Sequence, residues 1–175
     1  MMMLLIFLVS FFSFEKTSSP PPEKIRWEDS RRLAFADFKG DVPAVTPWAA
    51  TTSSEINFYY ESVNNKLTKV VVYASFNQEK SWMKKRLPEV LSHEQLHFDI
   101  TEVFARKFYH EVLKKNTADK KELNNLFQKV NNECQQTQHD YDDATDHGVV
   151  EDAQAKWSEK VAAMLKDEEP YPGSE

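Results

Sequence analysis

The pattern of apolar and polar positions changes period along this chain, and the changes mark its elements. Residues 51–60 and 67–76 are mainly β-branched and aromatic, which predicts two strands. Asn64-Asn65 between them suits the tight turn of an antiparallel hairpin. Val70, Val71 and Val72 form a continuous apolar run, which predicts cover on both faces. From 87 to 115 the period lengthens. Val90, Leu91, Leu96, Ile100, Val103, Phe104 and Phe108 recur largely at spacings of three and four, predicting a mostly buried helix with Pro88 in its first turn. A second helix, roughly 119–141 and capped by Asn116 or Thr117, keeps Leu123, Leu126, Phe127, Val130, Cys134 and Tyr141 on one face. The segment 140–146 ends it. A third helix carries Val150, Ala153, Trp157, Val161 and Leu165. Strands first and helices afterwards predict an α+β fold, a small antiparallel sheet of two or more strands followed by three helices.

The ends read differently. Residues 1–14 contain no charged side chain, and as a helix they would span about 21 Å, short of a hydrocarbon core of roughly 30 Å. A signal-peptide core or an uncleaved anchor is expected there, which predicts export to the periplasm, the envelope or the medium. Three successive prolines, Pro20 to Pro22, make the following stretch an extended linker. The expected organisation is therefore 1–24 as signal or anchor plus linker, 25–166 as the folded domain, and 167–175 as a disordered polar tail. Within the domain, Trp27, Leu33, Phe35 and Phe38 read as core contacts, and 42–48 as a Pro-punctuated connection.

Composition narrows the function. The formal charge of −6, with no basic block, argues against a nucleic-acid partner. One cysteine, Cys134, excludes an intrachain disulfide framework and a Cys-rich zinc site, and its helical phase suits packing. Three glycines leave no Gly-rich phosphate loop, which excludes P-loop and Rossmann readings.

The chemistry lies inside the long helix, at His93-Glu94-Gln95-Leu96-His97. Residues four apart on a helix lie roughly 40° from each other, so both imidazoles project from one face and can reach one metal ion. Glu94 follows the first histidine, where its carboxylate can take a proton from a metal-bound water. This is the H-E-x-x-H spacing of zinc peptidases, and it predicts Zn²⁺ with His93 and His97 as ligands on a zincin-like helix.

A catalytic zinc normally takes three protein ligands plus water, so one more is needed. The extension that continues with a glycine and a third histidine is excluded, because Ile100 and Val103 occupy those places. His147 is the preferred third ligand: it lies at a chain break before Gly148, where the chain can fold back, and a flanking carboxylate can orient its ring. Glu133, Asp143 and Asp146 are the alternatives. His110 and His139, on polar stretches, read as surface residues. Tyr141 reads as core packing, with donation to a tetrahedral intermediate as the alternative. Asp99 and Glu102 lie off the histidine face and read as supporting or solvated carboxylates.

The run from His93 to Glu102, followed by Ala105-Arg106-Lys107, resembles a bacterial family of unknown function labelled as predicted secreted zinc-dependent proteases. The resemblance takes in Asp37-Phe38-Lys39-Gly40, the run from Ala50 to Ser54, Ser81-Trp82, Tyr141, Thr145, His147-Gly148, Gln154 and Trp157, and so covers most of 27–160. It implies a secreted or envelope-associated peptidase-like domain, with His93 and His97 as ligands and Glu94 as the catalytic carboxylate. The family pattern places an acidic residue where this chain has Ala144. The expected reaction is hydrolysis of a polypeptide, held in extended form at a sheet edge for which 67–76 is the nearest candidate strand. The rival reading is a non-catalytic envelope binding or assembly module whose metal is structural or absent.

Overall fold

The computed structural model describes residues 24–171. Strands β1 (Lys24–Arg26), β3 (Ser54–Val63) and β4 (Lys66–Asn77) form an antiparallel sheet in the order β1-β4-β3. Two short strands, β2 (Ala50–Thr51) and β5 (Trp82–Met83), pair beside it. The hairpin of β3 and β4 turns at Asn64 and Asn65, with φ of 51° and 61°. Two successive left-handed residues give the turn the twist of its strands, and asparagine tolerates that conformation best after glycine. The register sets Ile56 opposite Ala74 and Phe58 opposite Val72, which keeps one face apolar. Val72 is buried while Val70 and Val71 are half-buried, so the second face is only partly covered.

The apolar face receives α1 (Pro88–Lys115), which also packs against α2 (Lys120–Thr145) and α3 (Glu151–Asp167). Enclosed on several sides, α1 is buried almost continuously from His93 to Arg106, polar residues included. Phe58 of β3, Phe108 of α1 and Phe127 of α2 meet with ring centroids 5.0–5.5 Å apart, at one end of the core.

Helix boundaries differ from the periodic expectation in ways that matter below. Asp119, not Asn116 or Thr117, caps α2, its side chain accepting from the Glu122 N–H at 2.8 Å. Asn116 instead closes α1 in the left-handed conformation. The C-terminal end of α2 lies at Thr145, four residues past the expected stop, because the acidic run 140–146 stays helical.

The segment before the hairpin is anchored by Trp27, Leu33 and Phe38, all buried as expected, and by polar ties to α1. Trp27 Nε1 donates to Asp99 at 2.8 Å, Arg32 bonds both Asp99 oxygens, and the Leu33 N–H donates to Gln95. Asp99 and Glu102 are thus buried, bonded groups rather than solvated ones. The polar tail also needs correction. Tyr171 is 2% exposed and its hydroxyl donates to Glu102 Oε2 at 2.8 Å, while Arg106 Nη1 donates to the carbonyls of Leu165 and Glu168. An aromatic anchor that reaches a buried carboxylate outweighs the polar composition around it. The expected signal or anchor segment and residues 172–175 lie outside the described residues. Among the described residues no helix is long and apolar enough to cross a membrane.

Candidate metal centre

One turn of α1 separates His93 from His97, and both rings turn toward α2, as their spacing requires. Their Nε2 atoms stand 3.2 Å apart. The third atom at this point is Oδ1 of Asp142, 3.1 Å from His93 Nε2 and 3.0 Å from His97 Nε2. Donor atoms on a tetrahedral ion with bonds of about 2.0–2.1 Å would lie about 3.3 Å apart, so these three fit one small cation. Among the described residues, this group of His93, His97 and Asp142 could hold a metal ion.

The opposite ring nitrogens decide the chemistry. His93 Nδ1 faces Oε1 of Gln154 at 3.1 Å, and His97 Nδ1 faces Oε1 of Gln138 at 2.5 Å. An amide oxygen only accepts, so each ring places its proton on Nδ1 and leaves the Nε2 lone pair free. Two lone pairs and a carboxylate oxygen then point at one spot, an arrangement that requires a positive charge between them.

A proton can play that part. Burial would lower the pKa of His97, but the hydrogen bond with Asp142, the nearby charges of Glu94 and Asp142, and the contact with Gln138 raise it. Burial would raise the Asp142 carboxyl, yet hydrogen bonds and charge from His93 and His97 hold it well below the usual range. Both shifts report the same demand for a cation.

A cleft opens over these groups, of about 370 Å³, walled by Trp48 to Thr52 and Ser54 on one side and by Gln135, Gln138, Asp142 and His147 on the other. Glu94, 5% exposed, lines it, and its Oε2 is buried with no hydrogen-bond partner in the protein. A buried carboxylate oxygen left without a donor is costly unless a ligand or water supplies one. The Thr52 hydroxyl donates to the Glu94 carbonyl, locking the strand wall onto α1. In that wall the Ala49 carbonyl accepts from the Lys84 and Lys85 N–H groups, so the pairing edge toward β5 uses residues 49 and 51. Ala50 and Thr52 then turn their backbone groups the other way. The expected strand 67–76 lies away from this cleft: none of its residues lines it, and β4 is paired on both sides only where β1 meets Ser75 and Phe76.

The remaining candidates lie elsewhere. His147 is not part of the converging group: its Nδ1 is 3.4 Å from Asp142 Oδ1, and its ring rests on Trp48 with centroids 3.9 Å apart. The chain does fold back there, through left-handed Asp146, His147 and Gly148 (φ 48°, 53° and 85°). It is Gly148 that meets the His93 ring, so close that a Cβ would sit 2.9 Å from Cγ. Glu133 pairs with Lys107, and Asp143 and Asp146 are exposed. Position 144 is exposed too, so an acid in place of Ala144 would point away from the histidines. Tyr141 is fully buried and its hydroxyl donates to Gln154 and toward the His93 carbonyl, which is the packing role. Cys134 is buried, and burial pushes its thiol up to about 12.

Asp142 was not among the expected ligands. A helix that ends near 141, as the periodicity predicts, sets Asp142 in a loop with no face to assign. The signal was the polar row Gln135, Gln138 and Asp142, spaced three and four apart beside the apolar stripe of Cys134 and Tyr141. No match was found among the curated proteins or among the solved structures. Residues 46–148, more than half of the chain, match the model of a bacterial family described as "Bacterial protein of unknown function (DUF922)", and the chain belongs to that family.

Proposed function

We propose that this protein is an exported, zinc-dependent hydrolase of peptide bonds, with His93, His97 and Asp142 as the metal-holding residues and Glu94 as general base. The observation that carries the reading is the convergence of those three donor atoms beside the unpartnered Oε2 of Glu94. A bound zinc would supply Lewis acidity, lowering the pKa of coordinated water to near 7 and polarising the carbonyl.

The chain's own groups do the rest. Glu94 accepts the proton of the attacking water and hands it to the departing amine, which is why its oxygen is kept without a protein donor. His147, exposed at the cleft and steadied by Trp48, can donate to the carbonyl oxygen as charge develops there. The outward backbone groups of Ala50 and Thr52 offer an extended polypeptide two rungs of strand pairing. The charge-free run 1–14 supports export to the periplasm, envelope or medium.

The test incubates the zinc-supplemented protein and its Glu94→Gln variant with a peptide library, reading new termini by mass spectrometry. The parent is expected to cleave, and the variant to lose about 10²–10⁴-fold in rate at unchanged zinc content. Equal cleavage by both, or zinc bound without any cleavage, overturns the hydrolase and leaves a metal-holding binding module.

A further inference from the structure

The two histidines are each held from behind by a glutamine, and the two glutamines come from different helices. We propose that Gln138 of α2 and Gln154 of α3 are positioning residues of the metal centre, each taking one Nδ1 proton and so dictating that Nε2 is the ligating nitrogen. This rests on the metal reading above.

The orientation of Gln138 is dictated by its surroundings. Its Nε2 donates to the His97 carbonyl at 2.9 Å and to Thr101 Oγ1 at 3.2 Å. Thr101 Oγ1 also donates to the His97 carbonyl and shares a 2.6 Å bond with Ser54. Exchanging the amide oxygen and nitrogen would set oxygen against a carbonyl, so oxygen faces His97 Nδ1. Gln154 is held from the other side, with its buried Nε2 left without a partner in the protein. The Tyr141 hydroxyl donates to its Oε1 at 2.7 Å, and the Tyr141 ring stacks on His93 at 4.6 Å and 27°. The His93 ring is pressed between Tyr141 and Gly148, leaving it one orientation.

Why amides serve here follows from charge. Groups behind a ligating histidine are often carboxylates, which raise the basicity of the ring. This pocket already holds Asp142 and Glu94, both buried or half-buried. A neutral amide sets the tautomer without adding a third negative charge close to the general base. Glutamine also matches glutamate in shape, so at Gln154, whose Nε2 has no partner in the protein, the exchange alters charge while keeping packing, whereas at Gln138 it would set an oxygen against the His97 carbonyl.

The experiment uses the full chain and zinc alone. Zinc affinity is measured by chelator competition for the parent, Gln138→Ala, Gln154→Ala and Gln154→Glu, with Gln136→Ala as control. Histidine tautomers of the zinc-loaded parent are read by ¹⁵N magnetic resonance. The expected results are protonated Nδ1 on both histidines, a loss of about 10–100-fold in affinity for each alanine variant, tighter binding for Gln154→Glu, and no change in the control. A Gln154→Glu variant that binds more weakly than the parent, alanine variants that bind equally, or an unprotonated Nδ1 in the loaded parent overturn the proposal while leaving the metal reading intact. A parent that takes up no zinc overturns the metal reading itself, and the tautomer assignment with it.

Discussion

Asp142 Oδ1 lies 3.0 Å from His97 Nε2, so a carboxylate from the last turn of α2 meets the second histidine of α1. His147 Nδ1 lies 3.4 Å from that same oxygen. The pair of distances separates two ligand sets. Asp142→Asn should lower zinc affinity by on the order of 10²-fold or more, above the 10–100-fold typical of groups that only support a ligand. His147→Ala should cost less than that. Chelator competition decides it, and a larger loss for His147→Ala would move the third ligand to His147.

The raised pKa of His97 gives stability a definite pH slope. A histidine raised above its ordinary 6.5 contributes stability that is fully present below that value and is lost as pH rises through the folded value. Asp142, depressed below 3.8, contributes stability present above that value and lost as pH falls through its folded pKa. Metal-free protein should therefore lose Tm on the alkaline side of pH 6.5. Zinc binding expels the His97 proton, so zinc affinity should rise with pH across the same range. Thermal scans against pH, with chelator and with excess zinc, should show opposite slopes. A shared slope would refute the assignment.

Gly148 stands at φ 85° with its missing side chain directed at the His93 ring. Gly148→Ala should cost about 1–2 kcal/mol from the left-handed backbone alone, and the clash must also push His93 off its position. Denaturant unfolding and zinc affinity should both fall. Loss of stability with unchanged zinc affinity would show that the His93 position survives the intrusion.

Midway along α1, Tyr171 donates to the buried carboxylate of Glu102. Tyr171→Phe should cost about 1–3 kcal/mol, the usual consequence of taking a donor from a buried acceptor. Ending the chain at Asp167 should cost more, since an aromatic ring leaves the core as well. Urea unfolding measures both, and a change below about 0.5 kcal/mol for the truncation would show that the strap carries no stability.

Wherever local period and local chemistry coincide, the fold is readable from residues alone. The hairpin follows from its β-branched runs and from Asn64-Asn65, which reach positive φ at low cost. The three helices follow from spacing, and His93 and His97 share a face because four residues make just over one turn. Short pairings are another matter. The strands β1, β2 and β5 have two or three residues each, too few to carry a period, and exist because β4 and the α1 wall receive them.

The sequence by itself determined the α+β order, the helix carrying His93, Glu94 and His97, and the turn that returns toward them at His147-Gly148, since each depends on contacts a few residues long. Tertiary structure decided which group completes the convergence. Asp142 and His147 are five residues apart, and both are acceptable metal donors. Only the length of α2, its rotation against α1, and the left-handed exit at Asp146 bring the Asp142 carboxylate, and not the His147 ring, into the group formed with His93 and His97. Those are properties of packed helices that bring together residues 45 apart in the chain, His97 and Asp142, set by the fit of Cys134, Tyr141 and Gln138 against α1. No local spacing encodes such a fit, because it is the shape of both surfaces together that selects the rotation.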